Sequence, residues 1–452
     1  MFSLFDGFSA DDRRVWRIIM VTVGIFALFI PFTMLAFDVS YDHTLRTVAI
    51  GGSLLGVVAG VLGCFAVLRK QSLMGDALSH AALPGVTIAF LLAGRDLGVL
   101  LIGAGIASWL GVRFIFAVTH TTRIKQDTAM GIVLAGWFAL GIALLAYIQG
   151  TPDASQAGLD KFIFGQAAAI VESDVRLIAI VGFGAFVVTG LFWKEFKLIT
   201  FDPEFAGANG FRVNLLDTML STLIVVAIVL GLQLAGVILM VGMLIAPAVA
   251  ARQWTHKLSQ MIVLAAVFGS FAGGTGSIIS AMDVNIPTGP MIIVMAFAVV
   301  FISIMFAPER GLIGTWIQAR ADRKRFAAQT VLRDVYRYAT NHVANESDLT
   351  TYPVPMRFLL GVRGAMAPIG LKQLTAQDAI VRDGDAWRLT KTGVKMAHDD
   401  ERNQQLWDLY RRHSDELALP LIKEDRQVNI REVLPDEAVN RLELALATAS
   451  DS

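Results

Sequence analysis

The chain has 452 residues, 55% of them hydrophobic and 17% charged. A soluble globular domain carries about 25% charged residues, so this composition argues against an all-soluble protein and for a membrane one. The formal net charge of zero averages an apolar stretch, Val15 to Ala307, and an ordinary soluble-type stretch, Glu309 to Ser452, and so identifies no partner.

The single cysteine, Cys64, lies in an apolar run and excludes an intrachain disulfide. The first apolar run is too long for a signal core and lacks a small-residue cleavage site, so it reads as a membrane helix. A spanning helix needs roughly 20 apolar residues. In chain order the candidates are Val15–Phe37, Thr44–Leu68, Ser72–Ala93, Leu97–Val118, Thr128–Ile148 and Asp174–Trp193. Leu215–Gln233, Ala235–Ala251, Leu258–Ala281 and Gly289–Ala307 follow. The break at Gln233–Gly236 fits either one bent helix or two.

Loop charges give the orientation. Arg69/Lys70, Arg123/Lys125, Lys194/Lys197/Arg212, Arg252/Lys257 and Arg310 fall on alternate loops, with acidic or neutral loops between them. The positive-inside rule puts the basic set, and the start at Arg13, Arg14 and Arg17, in the cytoplasm. Ten spans with both ends inside satisfy every loop, and eight or nine spans with re-entrant pieces fit nearly as well. The fold class is an all-α polytopic membrane protein with about 8–10 transmembrane helices. Gly52, Gly56 and Gly60 form a small-residue ridge that reads as tight helix packing. Gly273, Gly274 and Gly276 are expected to interrupt their helix, since each weakens it by about 1 kcal/mol relative to alanine.

The segment Ser72–Gly85 holds two ionisable residues within a predicted span. Asp76 and His80 are four apart, so on a helix they share one face, about 6 Å apart along the axis. Carboxylate and imidazole suit manganese, iron or zinc. Pro84 lacks an N–H, which frees the carbonyl of His80 for an ion or water. The competing reading is a structural Asp–His hydrogen bond. Ionisable groups in lipid cost at least about 2.5 kcal/mol and mark pathways, although Asp76 lies near the start of its span, where the cost is smaller. Two ligands do not close a site; a second subunit or water would supply the others.

Thr200–Gly210 reads as a short capped helix. Asp202 is the N-cap, Pro203 the first helical residue, Glu204 favours the positive end, and Gly210 closes it. Phe201 and Phe205 share a face that fits a partner's groove or the headgroup layer. No phosphate-binding loop occurs in the chain, so ATP-driven transport would need another polypeptide.

These residues resemble the metal-ion permease family of ATP-binding-cassette importers, which serve manganese, zinc and iron. The matching stretches are Leu73–Phe90, Phe162–Val175, Phe201–Gly210, Gly236–Arg252 and Ile286–Pro290, and G-D-A-L-S-H-A-x-L-P-G is the most specific. The resemblance implies a type II importer-like fold in the bacterial cytoplasmic (inner) membrane, with both termini cytoplasmic. It also implies a second permease subunit, cytoplasmic ATPase subunits, an extracytoplasmic metal-binding protein, and no bound cofactor beyond the transported Mn2+, Zn2+ or Fe2+. Asp76 and His80 match the family's ion path. Phe201, Asp202, Pro203, Glu204, Phe205, Gly207 and Gly210 match its ATPase-coupling loop.

The chain after Glu309 departs from basic members of that family. Residues 1–310 are expected to form the permease and 311–452 a cytoplasmic, mainly α, winged-helix-like domain. Arg320–Arg325 is a charged collar. Helices at Arg325–His342, Met356–Gly361 and Lys372–Ala379 precede a hairpin at Ala379–Thr390, turned at Asp383-Gly384-Asp385. A long helix, Thr392–Glu416, follows. Val381–Glu416 resembles the diphtheria-toxin-repressor type, and Arg431–Ala447 resembles the helix that follows there. Leu417, however, stands where that family places a Glu after His413, and Glu416 is one residue early. The candidate recognition helix carries little basic charge beyond Lys372, so protein contact or regulation is expected in place of nucleic-acid binding. The alternatives are a secondary metal transporter, for which no internal repeat is visible, and a membrane-tethered metal-responsive regulator.

Overall fold

The computed structural model describes residues 43–94, 96–150, 171–280, 286–308, 310–344, 348–414, 419–422 and 428–450. The expected span Val15–Phe37 and most of Phe162–Val175 lie outside them. The chain divides into two compact units, Met1–Gly314 and Thr315–Ser452.

The first unit is all helical: α1 (His43–Leu68), α2 (Ser72–Ala93), α3 (Leu97–Thr121), α4 (Gln126–Gln149) and α5 (Glu172–Leu191) precede the short helices α6 (Trp193–Phe201) and α7 (Pro203–Ala208). Then come α8 (Val213–Trp254), α9 (Leu258–Ser280) and α10 (Thr288–Phe306). Among the described residues, eight helices are long and apolar enough to cross a membrane: α1 to α5, the first arm of α8, α9 and α10. Much of the apolar surface of α4, α5 and α10 stays exposed, as at Leu140, Ile180, Phe183 and Phe297. In water such faces would be costly; they suit a lipid solvent or a second chain.

Glycine carries the interior packing. A Cβ at Gly56 would sit 2.0 Å from the carbonyl oxygen of Gly269, and one at Gly273 would sit 2.1 Å from that of Gly52. The α1 and α9 backbones thus meet glycine against glycine, the close approach that small residues permit in lipid. This corrects the expectation for Gly273, Gly274 and Gly276. They do not break α9, which runs unbroken from Leu258 to Ser280; the contact with α1 outweighs their weak helix propensity. Gly85 on α2 and Gly103 on α3 form a second such contact.

The break near Gly236 is a kink between two helical arms of α8. The 42 residues of α8 are helical except at Gly236, whose φ of 80° and ψ of 167° only glycine adopts readily. A straight helix of that length would run about 63 Å, twice a hydrocarbon core, so the bend makes two arms. The expected split between Leu215–Gln233 and Ala235–Ala251 falls at this kink.

The second unit contains most of α11 (Leu312–Thr340), then β1 (Val354–Pro355), α12 (Met356–Arg363), α13 (Met366–Ala376), β2 (Ile380–Asp383) and β3 (Ala386–Leu389). α14 (Lys391–His413), α15 (Ile430–Val433) and α16 (Asp436–Ser450) complete it. The sheet is antiparallel in the order β1-β3-β2, with Ile380 opposite Leu389 and Val354 opposite Trp387. Its turn places Gly384 at φ 60°, as the Asp-Gly signal requires. α13 begins six residues before the expected Lys372, and the two-residue β1 was not anticipated. One core gathers Val331, Val335, Leu359, Leu371, Ile380 and Leu389. A second surrounds Trp407, whose Nε1 donates to the Val428 carbonyl at 3.1 Å. Two ion pairs tie the first core: Arg333 to Asp400 at 2.7 Å, and Arg363 to Asp334 in a forked contact at 2.5 and 3.0 Å. Asp334 holds the Arg363 guanidinium above its ordinary pKa, chiefly by accepting that hydrogen bond.

Candidate functional site

α2 sits inside the first unit, against α3, α4 and α8. Gly75 lets it approach Leu244 of α8, and Gly141 of α4 receives Leu83. Hydroxyls anchor its backbone: Ser108 of α3 donates to the Leu78 carbonyl at 2.9 Å, and Ser79 donates to Gly75 at 2.7 Å. The helix runs through Pro84 without a break. The carbonyl of His80 therefore has no N–H donor four residues on, as the sequence requires.

On this helix Asp76 and His80 share one face. Their Oδ1 and Nε2 atoms are 3.4 Å apart, with the imidazole 15% and the carboxylate 33% exposed. That separation is long for a hydrogen bond and leaves both groups with spare ligating capacity. The His80 ring stands edge-on to Phe138 of α4, centroids 4.6 Å apart. Its Nδ1 is buried with no hydrogen-bond partner among the described residues. Among those residues no three His, Cys, Asp or Glu side chains converge on a common point.

The segment from Phe201 to Gly210 contains α7, with Phe201 ending α6 just before it. The Asp202 carboxylate accepts from the Phe205 N–H at 2.9 Å, and Pro203 occupies the first turn, where its missing N–H is not needed. Glu204 lies in the same turn, and Gly207 sits in the last one. Gly210 adopts φ 83° and lets the chain turn toward α8. Phe201, Phe205 and Phe211 are 54%, 56% and 42% exposed. The segment thus presents aromatic rings outward, Phe205 from α7 itself, while Ala206 packs inward.

Sequence reading missed the ion pair between Arg69, just after α1, and Asp217, in the first turns of α8. Both are largely buried, with side chains 11% and 18% exposed. Burial lowers the Arg69 pKa to about 10, which leaves it cationic at neutral pH. The pair borders a cavity of about 400 Å³ whose wall also includes Gln71, His120 and Pro203. The available signal was an aspartate at the head of one apolar run and an arginine that directly follows another. At the head of α5, Glu172 pairs with Arg176 at 2.7 Å, and Asp174 accepts from the Val171 N–H at 3.1 Å.

A bundle of apolar helices with an ionisable pair inside one of them, and a capped aromatic helix between two others, defines a polytopic membrane permease. The ABC 3 transport family matches residues 41–307, more than half of the chain, and the chain belongs to that family. It is therefore the membrane subunit of an ABC transporter and not itself an ATPase. The manganese transport system membrane protein MntC of Bacillus subtilis (strain 168) is 39% identical over 395 residues, 87% of this chain and 89% of its own. An alignment of that length reaches into the second unit, since the first ends at Gly314. The zinc transport system membrane protein TroC of Treponema pallidum (strain Nichols) is 47% identical over 273 residues, 60% of this chain and 92% of its own. The solved structure of PsaBC from Streptococcus pneumoniae in complex with Fab matches with a TM-score of 0.54 and 35% identity, over 60% of this chain and 94% of that one.

Proposed function

We propose that the chain is the permease subunit of an importer for a divalent transition metal, manganese first and zinc or iron next, with Asp76 and His80 on the ion path. The observation that carries this reading is the half-buried Asp76–His80 pair inside a membrane helix, with its two ligating atoms 3.4 Å apart. With metal–ligand distances of about 2.1 Å, that separation subtends roughly 108° at a bridging ion, which suits a tetrahedral or distorted octahedral shell. The freed His80 carbonyl adds an oxygen on the same helix. Water or a second permease copy completes the shell, so the ion is held loosely enough to leave. The relatives named for manganese and for zinc support this substrate class, and the absence of a thiolate ligand leans toward the harder ion.

Energy comes from separate ATPase subunits on the basic, cytoplasmic side, where α7 and the exposed phenylalanines in and beside it serve as the docking element. A binding protein delivers the ion on the opposite side. The second unit is a winged-helix-like regulatory module. Its order of helix, strand, two helices and hairpin, with the sheet arranged β1-β3-β2, supports that reading. Metal sensing through His413 gains no support from residues 415–418, which lie outside those described.

The test is ATP-dependent uptake of radioactive manganese and of zinc into proteoliposomes holding the permease, with and without its ATPase partner. Uptake that needs the ATPase supports the proposal. Uptake driven by an ion gradient without the ATPase would replace it with a secondary transporter.

A further inference from the structure

The stripe that opens α11 has no role in the transport reading. Leu312, Ile313, Trp316 and Ile317 are 54%, 39%, 55% and 56% exposed. Their spacing places them on one helical face, and the same spacing continues through Arg320, Arg323 and Lys324, all exposed. The Arg320 guanidinium lies over the Trp316 ring, 3.5 Å from its centroid, so the apolar and cationic halves of the stripe are joined. Asp322 is the one acid between Leu312 and Arg325, and helical spacing puts it on the opposite side.

Position along the chain says what covers this face. The last apolar span ends at Phe306, and just beyond it the Gly311 N–H donates to the Ala307 carbonyl at 2.8 Å. Even fully extended, that connection spans only about 22 Å. The start of α11 is therefore held near the level where the bilayer ends. Tryptophan and long basic side chains are the residues that settle there, with the ring at the headgroup boundary and the charges at the phosphates.

We infer that the Leu312–Lys324 stripe of α11 is an interfacial anchor that binds the phosphodiester headgroups of anionic lipid. Trp316 and Ile317 enter the headgroup boundary, and Arg320, Arg323 and Lys324 engage the phosphates. Each cation near an anionic surface contributes roughly a fivefold preference for charged over zwitterionic lipid. The anchor fixes where the second unit starts relative to the membrane, and it makes that placement depend on lipid charge and ionic strength.

The chain's single cysteine, Cys64, is buried, so a spin label on Ile317→Cys in the full-length protein reports this face alone. The protein is placed in nanodiscs of phosphatidylcholine, or of phosphatidylcholine with phosphatidylglycerol. The label's accessibility to a water-soluble relaxation agent is then read. The inference predicts severalfold stronger protection with phosphatidylglycerol, lost at high salt and in the R320Q/R323Q/K324Q variant. Should that variant fold poorly, the lipid comparison with native charges still decides. Equal accessibility in both lipids would overturn the inference. So would protection that appears only when the ATPase is added, which would assign the stripe to a protein partner, or protection by inorganic phosphate alone.

Discussion

At Gly56 the room for one methyl group is already taken, since a Cβ there would come within 2.0 Å of the Gly269 carbonyl oxygen. Both partners are backbone, so no rotamer can relieve the clash. Gly56→Ala is expected to destabilise the detergent-solubilised protein by about 1–3 kcal/mol. Gly184 on α5 has no atom within 4 Å of its would-be Cβ, and Gly184→Ala should be neutral or stabilising by up to about 1 kcal/mol. Thermal melts of the two variants check the contrast, and equal losses would refute the ridge account. The common face of Asp76 and His80 was legible in the sequence because it depends only on helical spacing. The Arg69–Asp217 pair was not, because its partners lie 148 positions apart and only tertiary packing brings them together.

The elements that could be read from the sequence are those whose ends carry their own chemistry. Asp202, Pro203 and Gly210 delimit α7 by capping, by a missing N–H and by positive φ, all local effects. The triple glycine of α9 was misread because helix interruption and close helix contact use the same residue. Only the facing glycines of α1 distinguish them. Gly236 was legible as a break, and its φ of 80° and ψ of 167° put a kink between two helical arms there. Asp202→Ala removes the accepting carboxylate and should cost the short helix about 1 kcal/mol. Phe205→Ala removes an exposed ring and should leave stability unchanged. If α7 docks the ATPase, both substitutions weaken ATPase binding to the purified permease, Phe205→Ala with no change in melting temperature. Full ATPase affinity in both variants would move the docking element elsewhere.

At the scale of the whole molecule, composition separated an apolar segment from a soluble-type one near residue 310, and the compact units divide at Gly314. Span count was less legible: among the described residues eight helices are long and apolar enough to cross, and of α8 only the first arm is among them. Oligomeric state was not legible at all; exposed faces such as those of α4 and α5 suit lipid and protein alike. α2 is held by glycine contacts and backbone-anchoring hydroxyls, which fix the separation of Asp76 and His80 on its face.

The most direct test compares radioactive manganese and zinc uptake in cells carrying the complete transporter, with wild-type permease, Asp76→Ala or His80→Ala. Protein level in the membrane is measured alongside. The account predicts that each substitution lowers uptake of one metal by at least about a hundredfold, the loss of a ligand worth some 3 kcal/mol, at normal membrane abundance. Wild-type uptake rates in both variants would make the pair structural and contradict the assignment of the ion path.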